Sequence, residues 1–215
     1  FCLGYAYRGS NNNIEITQLK IDKKKAMYDG LVHGQLSAIT SLKSVKTGIT
    51  KKQMKVIVTG GAGFIGSHLV DLLIQNNFEV IVLDNFSTGR RSNLDHVKDK
   101  IQLIECDLSI NGEWVKYFKD IDWVFHLAAQ THPPTSFTDP IGTWESNVTG
   151  SVNLITCIQD LQPHTKLIFC SSVEVYGNLG IDKRKLNEND KLLPANPYGA
   201  SKAAIDLYIQ ERMKN

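Results

Sequence analysis

Three glycines spaced as GxxGxxG, in Gly60-Gly61-Ala62-Gly63-Phe64-Ile65-Gly66, sit between a short apolar run and an amphipathic one. Few backbones need glycine at that spacing. A chain that leaves a strand, turns tightly and enters a helix must avoid a Cβ wherever backbone approaches backbone or ligand. The helix start then presents unpaired N–H groups and the positive end of its dipole, which suit a pyrophosphate. Glycine triads also serve plain turns and close helix packing, so the flanking pattern has to decide. Val56–Val58 reads as a buried strand ending at Gly60, and Ile65, Leu69, Leu72 and Leu73 share a helical face that Asn76-Asn77 closes. Asp84 ends the next strand-like run, Val80–Leu83, eighteen residues beyond Gly66. That is near the spacing at which a carboxylate meets an adenosine ribose, and its charge disfavours a 2′-phosphate. Loop and acid together point to NAD rather than NADP. Asp84-Asn85 also suits a solvated turn, and Arg90 and Arg91 could soften the preference.

The alternation continues along the chain. Ile101–Ile104, Trp123–Leu127 and Leu167–Cys170 read as third, fourth and fifth strands. A helical stretch over about 109–119 and a longer helix from Asp139-Pro140 to about Leu161 fall between them. Asp accepts a hydrogen bond as N-cap, and Pro at N1 has no donor to leave unsatisfied. A last helix starts near Pro197-Tyr198 and runs to the end. Strands alternating with helices predict an α/β fold: a doubly wound parallel sheet of the Rossmann type, with ligands beyond the carboxyl ends of the strands. Residues 54–215 are expected to form that domain. Residues 1–53 carry weak signals only, the best being a short strand over Ile14, Ile16, Leu19 and Ile21. Met54 reads as a natural start, so 1–53 is expected to be an upstream or fused extension.

Charge separates the two segments. Residues 1–53 hold nine Lys/Arg and three Asp/Glu, whereas 54–215 hold fifteen and nineteen. A basic leader can signal nucleic acid, but nothing aromatic is interleaved to stack bases, so no nucleic-acid partner is expected. No apolar run approaches the roughly 20 residues of a membrane span. Cys2, Cys106, Cys157 and Cys170 lack metal-ligand spacing, and Cys106 and Cys170 sit in strand-like runs as small core residues do. No metal and a cytoplasmic setting are expected. The sequon at Asn147 is read as chance.

A second constellation is Tyr198-Gly199-Ala200-Ser201-Lys202. On a helix, i and i+4 share a face, so phenol and ammonium point into one cleft. A free Tyr has a pKa of about 10 and is a poor base at neutral pH. A nearby Lys and a positive nicotinamide ring favour the phenolate. Ser172, at the end of the fifth strand, is placed to hydrogen-bond the same substrate hydroxyl. YxxxK alone is common by chance, and its value here lies in following a glycine loop and a Ser-rich strand end.

Taken together, TGGAGFIG (59–66), DNFSTG (84–89), Asp107-Leu108, HLAAQ (126–130), Asn147 in ESNVTGSVNL, SSVEVYG (171–177) and YGASK (198–202) form a specific set. The chain resembles the NAD-dependent epimerase/dehydratase group of extended short-chain dehydrogenase/reductases, most of all its UDP-glucose 4-epimerase-like members. The resemblance implies that Gly60, Gly63, Phe64, Ile65, Gly66, Asp84, Asn85, Thr88, Gly89, Asp107, Leu108, Leu127, Ala128, Ala129, Gln130 and Asn147 serve the cofactor, with Tyr198 and Lys202. It implies catalytic roles for Tyr198, Lys202 and Ser172, with Glu174 as a weaker candidate, on a nucleotide-diphosphate sugar. The activity it implies is 4-epimerisation through transient oxidation at C4.

Departures from the pattern keep other readings open. Glu174 stands where dehydratases and decarboxylases of this group often carry a catalytic Glu, yet Val173 before it can neither donate nor accept a proton. HLAAQTHPPTSFTDP leans toward GDP-mannose dehydratase-like relatives. An NADP-dependent reductase and a non-enzymatic NAD-binding module are weighed as well; Asp84 counts against the first and the Tyr/Lys pair against the second. His126 reads as a satisfied core histidine and His132 as a loop residue. Relatives run on past YxxxK into a substrate-binding region, so the chain is expected to be a C-terminally truncated, poorly soluble and inactive fragment with a bare sheet edge or apolar helix face. Relatives also often dimerise through the YxxxK helix and the 139–161 helix.

Overall fold

The computed structural model describes residues 4–6, 53–180 and 185–212. One sheet contains β1 (Gly4–Ala6), β2 (Lys55–Thr59), β3 (Glu79–Asp84), β4 (Ile101–Glu105), β5 (Trp123–His126) and β6 (Lys166–Cys170), in the spatial order β1-β6-β5-β2-β3-β4. The five strands from β2 to β6 pair in parallel, as expected of the doubly wound fold. The order reverses at β2, which lies between β3 and β5. That reversal opens a crevice at the carboxyl ends of the strands.

β1 pairs antiparallel with β6, Gly4 opposite Cys170 and Ala6 opposite Ile168. It adds an antiparallel edge strand to the five parallel ones and covers the β6 edge. A strand from outside the alternating units is free of the crossover geometry that makes βαβ pairs parallel, and it satisfies the donors and acceptors of an edge. The strand expected over 14–21 lies outside the described residues.

Among the described residues the α-helices are α1 (Phe64–Gln75), α2 (Pro133–Thr138), α3 (Pro140–Trp144), α4 (Gly150–Leu161) and α5 (Pro197–Arg212). Asp139 caps α3 as expected, its Oδ1 accepting the Gly142 N–H at 2.9 Å. The helix expected from 139 to about Leu161 is continuous from Pro140 to Leu161, with a π turn, Glu145–Thr149, joining α3 to α4. The helix expected over 109–119 shrinks to a 3₁₀ turn, Glu113–Phe118. The cause is local: Asp107 Oδ1 accepts both the N–H and the hydroxyl of Ser109, which bends 107–109 into a side-chain-closed turn instead of a first helical turn. α2, absent from the sequence reading, begins on Pro133-Pro134 and is tightened by the Ser136 hydroxyl donating to the Pro133 carbonyl.

Both sheet faces are covered, which is why the strands read as unbroken apolar runs. Val56, Val58, Val80 and Val82 pack with Leu69, Val70 and Leu73 of α1. Ile57, Ile81 and Leu83 point the other way, toward Phe118, Leu154 of α4 and Ile205 of α5.

A polar chain threads the centre of this core. Thr59 Oγ1 accepts the N–H groups of Leu127 and Ala128, leaving its proton for Nδ1 of His126 at 2.6 Å. Nε2 of His126 then donates to Ser151 Oγ at 2.8 Å, and Ser151 donates to the Asn147 carbonyl in the π turn. Every donor and acceptor is matched by one neutral tautomer. His126 is thus the core histidine the sequence suggested. Burial, reinforced by the charge of Lys202, pushes its pKa down to about 3. The unfolded chain takes up a proton here near pH 6.5, and the folded chain refuses it until about pH 3. Stability is therefore full above 6.5 and falls on acidification, by at most about 1.4 kcal/mol per pH unit from this group. Urea midpoints measured from pH 7 to 4 are expected to fall more steeply for the wild type than for His126→Gln; equal slopes would contradict the assignment.

Candidate functional site

The crevice at the strand ends is a single continuous cleft. Its walls come from the loop after β2 (Gly60, Gly63, Phe64, Ile65, Gly66), the end of β3 and its loop (Leu83, Asp84, Asn85, Ser87, Thr88, Gly89) and the turn after β4 (Cys106, Asp107, Leu108). They continue through Leu127, Ala128, Ala129 and Thr131 after β5, Ser146 in the π turn, Cys170 and Ser171 after β6, and Tyr198 and Lys202 on α5.

The glycines are where the backbone needs them. Gly60 has φ +68, and a Cβ there would lie 2.7 Å from the Ala128 amide nitrogen. At Gly66 the absent side chain spares the loop itself, since a Cβ would overlap the Gly60 carbonyl oxygen. α1 starts at Gly63 with no side-chain cap, so no cap side chain competes for its first-turn N–H groups. The loop is thus folded to receive an anion.

Asp84 is buried, and both carboxylate oxygens are engaged. Oδ2 accepts the Ala62 N–H at 2.9 Å and Oδ1 accepts the Phe86 N–H at 2.8 Å. Its role as a solvated turn acid is thereby set aside. Asp107 lies across from it: partial burial works to raise its pKa, but hydrogen bonds from the Ser109 hydroxyl and amide and from Asn85 more than offset that and leave it below the usual carboxylate value. These two acids give one end of the cleft a negative rim. Arg91 does not neutralise Asp84 or Asp107; it pairs with Glu105 and lies over the Phe86 ring. Cys106 lines the cleft and also packs against the core, and burial with the charges of Asp107 and Asp84 pushes its thiol up to about 11, far from a reactive thiolate.

Tyr198 and Lys202 occupy the other end. Both are buried on α5, and Lys202 Nζ donates to the Cys170 carbonyl at 2.9 Å. The Tyr198 N–H donates to Ser136 Oγ, which fixes the start of α5 on α2. Asn196 caps α5 by accepting the Gly199 N–H, and its amide donates to Glu174 Oε2 at 2.7 Å.

Four residues expected at the site stand outside these walls. Glu174 is held by Asn196. Ser172 lies beside the wall residue Ser171, its Oγ accepting the Glu174 N–H. Asn147 is 1% exposed and clamps both backbone groups of Gln130 while its amide also reaches Ser201 on α5. That depth also removes the sequon from reach in the folded chain. Gln130 turns its side-chain amide to the His132 carbonyl. Sequence reasoning missed Leu83, Ser87, Cys106, Thr131, Ser146, Cys170 and Ser171 as walls. It also missed Thr59, although a hydroxyl closing an apolar strand was a usable signal. Among the described residues no cluster of His, Cys, Asp or Glu could hold a metal, and no helix is long and apolar enough to cross a membrane.

Residues 56–215 match the model of the NAD dependent epimerase/dehydratase family. The chain is 36% identical over 156 residues to a UDP-glucose 4-epimerase of Lactobacillus helveticus, covering 71% of the chain and 45% of that protein. It is 34% identical over 161 residues to a dTDP-glucose 4,6-dehydratase of Mycolicibacterium smegmatis, covering 73% and 48%. The fold superposes on the crystal structure of a Thermus thermophilus UDP-glucose 4-epimerase in complex with NAD, with a TM-score of 0.67 and 34% identity over 75% of this chain and 51% of that one. The chain therefore spans about half the length of these proteins.

If Asp84 is a lock rather than a surface acid, Asp84→Asn removes one of two buried acceptors and sets an amide donor against a backbone N–H. Unfolding free energy is expected to fall by about 1–3 kcal/mol. A change within about 0.5 kcal/mol, as at ordinary surface positions, would contradict the lock.

Proposed function

The chain belongs to the NAD-dependent epimerase/dehydratase family, and from that premise we propose that it carries the cofactor-binding part of a nucleotide-sugar 4-epimerase. The observation that carries this reading is the cleft itself, with a Cβ-free anion cradle and an acid at one end and a buried Tyr/Lys pair at the other. Gly60, Gly63 and Gly66 would hold a pyrophosphate, with Asp84 and Asp107 on the adenosine side and Leu127, Ala128 and Ala129 along the middle. Such an arrangement suits NAD. Bound there, NAD supplies a hydride acceptor and, once reduced, a donor.

The residues of this chain do the rest. Tyr198, as phenolate, takes the proton of the sugar 4-hydroxyl when the C4 hydride leaves, and returns a proton when hydride comes back to the other face of C4. Lys202 favours the phenolate by its charge. Ser172 orients the same hydroxyl. Glu174 would serve a 4,6-dehydratase or a decarboxylase, and the family includes such enzymes, as the dehydratase relative illustrates. Its side chain is tied to the N-cap of α5, which supports the epimerase first. The free thiols of Cys106 and Cys157 support a cytoplasmic setting.

We also propose a homodimer. Phe137, Ile141, Trp144 and Leu207 are exposed on α2, α3 and α5, an apolar group that a second copy would cover.

Proton NMR of UDP-glucose, UDP-N-acetylglucosamine and GDP-mannose with the full protein and NAD is expected to give C4-epimer ring signals without net NADH. A C6 methyl doublet with a 4-keto product would instead establish the dehydratase. Tyr198→Phe is expected to cut turnover by about 10²–10⁴-fold. Light scattering is expected to find a dimer that Trp144→Glu converts to a folded monomer; a wild-type monomer would refute that interface.

A further inference from the structure

Asp206 has no part in the chemistry above, yet only 2% of it is exposed. It follows Lys202 by one helical turn and Tyr198 by two, so the three share a face of α5. Its Oδ2 accepts the hydroxyl of the wall residue Ser171 at 2.5 Å. Its Oδ1 has no hydrogen-bond partner among the described residues. A carboxylate this deep is costly unless a charge compensates it. Lys202 poses the reverse problem. It is 4% exposed, donates to the Cys170 carbonyl and rests 4.8 Å from the centre of the Phe169 ring. Asp206 sets a full negative charge one helical turn from that ammonium, and the two charges interact.

We propose that Asp206 is a positioning residue of the Tyr198–Lys202 pair: its carboxylate is the buried counter-charge that keeps the Lys202 ammonium protonated and seated against the Cys170 carbonyl. Asp206 touches neither substrate nor cofactor; it acts through Lys202. This rests on the assignment of Tyr198 and Lys202 given above. Among the described residues, Tyr198 shares the pair's face of α5; from β6 and its end come the Cys170 carbonyl and the Ser171 hydroxyl; from β5 comes His126, which burial keeps neutral. Burial pushes Asp206 up to about 6, while the Ser171 hydrogen bond and the Lys202 charge both act to keep it ionised. At pH 7 and above it is mainly the carboxylate, and acidification removes the counter-charge.

The test follows the Lys202 side-chain signal by NMR in protein labelled at the lysine Cε, assigned by its loss in Lys202→Arg. In the wild type the signal is expected to shift near pH 6, as Asp206 takes up its proton, and again at alkaline pH as Lys202 loses its own. Asp206→Asn keeps an acceptor for Ser171 but no charge. In it the shift near pH 6 disappears and Lys202 deprotonates at least one pH unit lower. Ser171→Ala, which leaves the charge in place, keeps both features. A wild-type Lys202 signal blind to pH 6, or an Asp206→Asn variant with Lys202 titrating as before, overturns the proposal. The wild-type measurement needs no variant to fold. Neither reading needs turnover, so a protein that epimerises no sugar can still pass, and an active epimerase can still fail.

Discussion

The cleft depends on one carboxylate gripping two loops. Asp84 stands at the end of β3 and accepts one N–H from the glycine loop after β2 and another from its own following turn. The Arg90 N–H and the Asn93 amide, both donating to the Ala62 carbonyl, tie the same two loops further along. The Ala62 amide that Asp84 anchors lies in the middle of the glycine run, so the loop is pinned at its crest while Gly60 and Gly66 meet backbone to backbone beneath. The side chain proposed to face the adenosine is thus the same one that holds the glycine loop. Position and charge are inseparable at this residue, and substitutions there are expected to report on both.

A second, neutral network serves the opposite end. The line from Thr59 through His126 and Ser151 to the Asn147 carbonyl joins β2, β5 and α4 across the sheet. The π turn exposes that carbonyl to a side-chain donor, and its extra residue turns Asn147 inward to clamp Gln130 and reach Ser201 on α5. α5 carries Tyr198 and Lys202, so a core histidine helps set where the proposed catalytic pair stands. Buried polar groups here are matched donor to acceptor, and such networks fix geometry more firmly than apolar contact does.

Much of this was legible in the residues. The strand–glycine–helix–strand–acid order identified the fold, because each step has a physical demand few sequences meet by accident. The parallel strands fell within a residue or two of expectation, since runs buried on both faces need no alternation to be seen. What escaped had local or long-range causes. Ser109 binding Asp107 cancelled a helical turn that apolar spacing alone favoured. β1 comes from a distant segment, and antiparallel pairing of three residues leaves no periodicity to read. Gln130 and Asn147 were placed by resemblance, which marks a residue near a site without saying whether it lines the wall or braces it. Asp206 was readable in principle, as a carboxylate spaced one turn from Lys202 and two from Tyr198, but only its burial gives the spacing meaning.

The central claim is that this cleft takes NAD, with the acid at its adenosine end excluding a 2′-phosphate. Calorimetric titration of the chain with NAD and with NADP tests it most directly. One NAD per chain is expected to bind, with NADP at least about tenfold weaker, a difference of roughly 1.4 kcal/mol. Binding of NADP as tight as NAD would contradict the role given to Asp84, and binding of neither would contradict the account of the cleft.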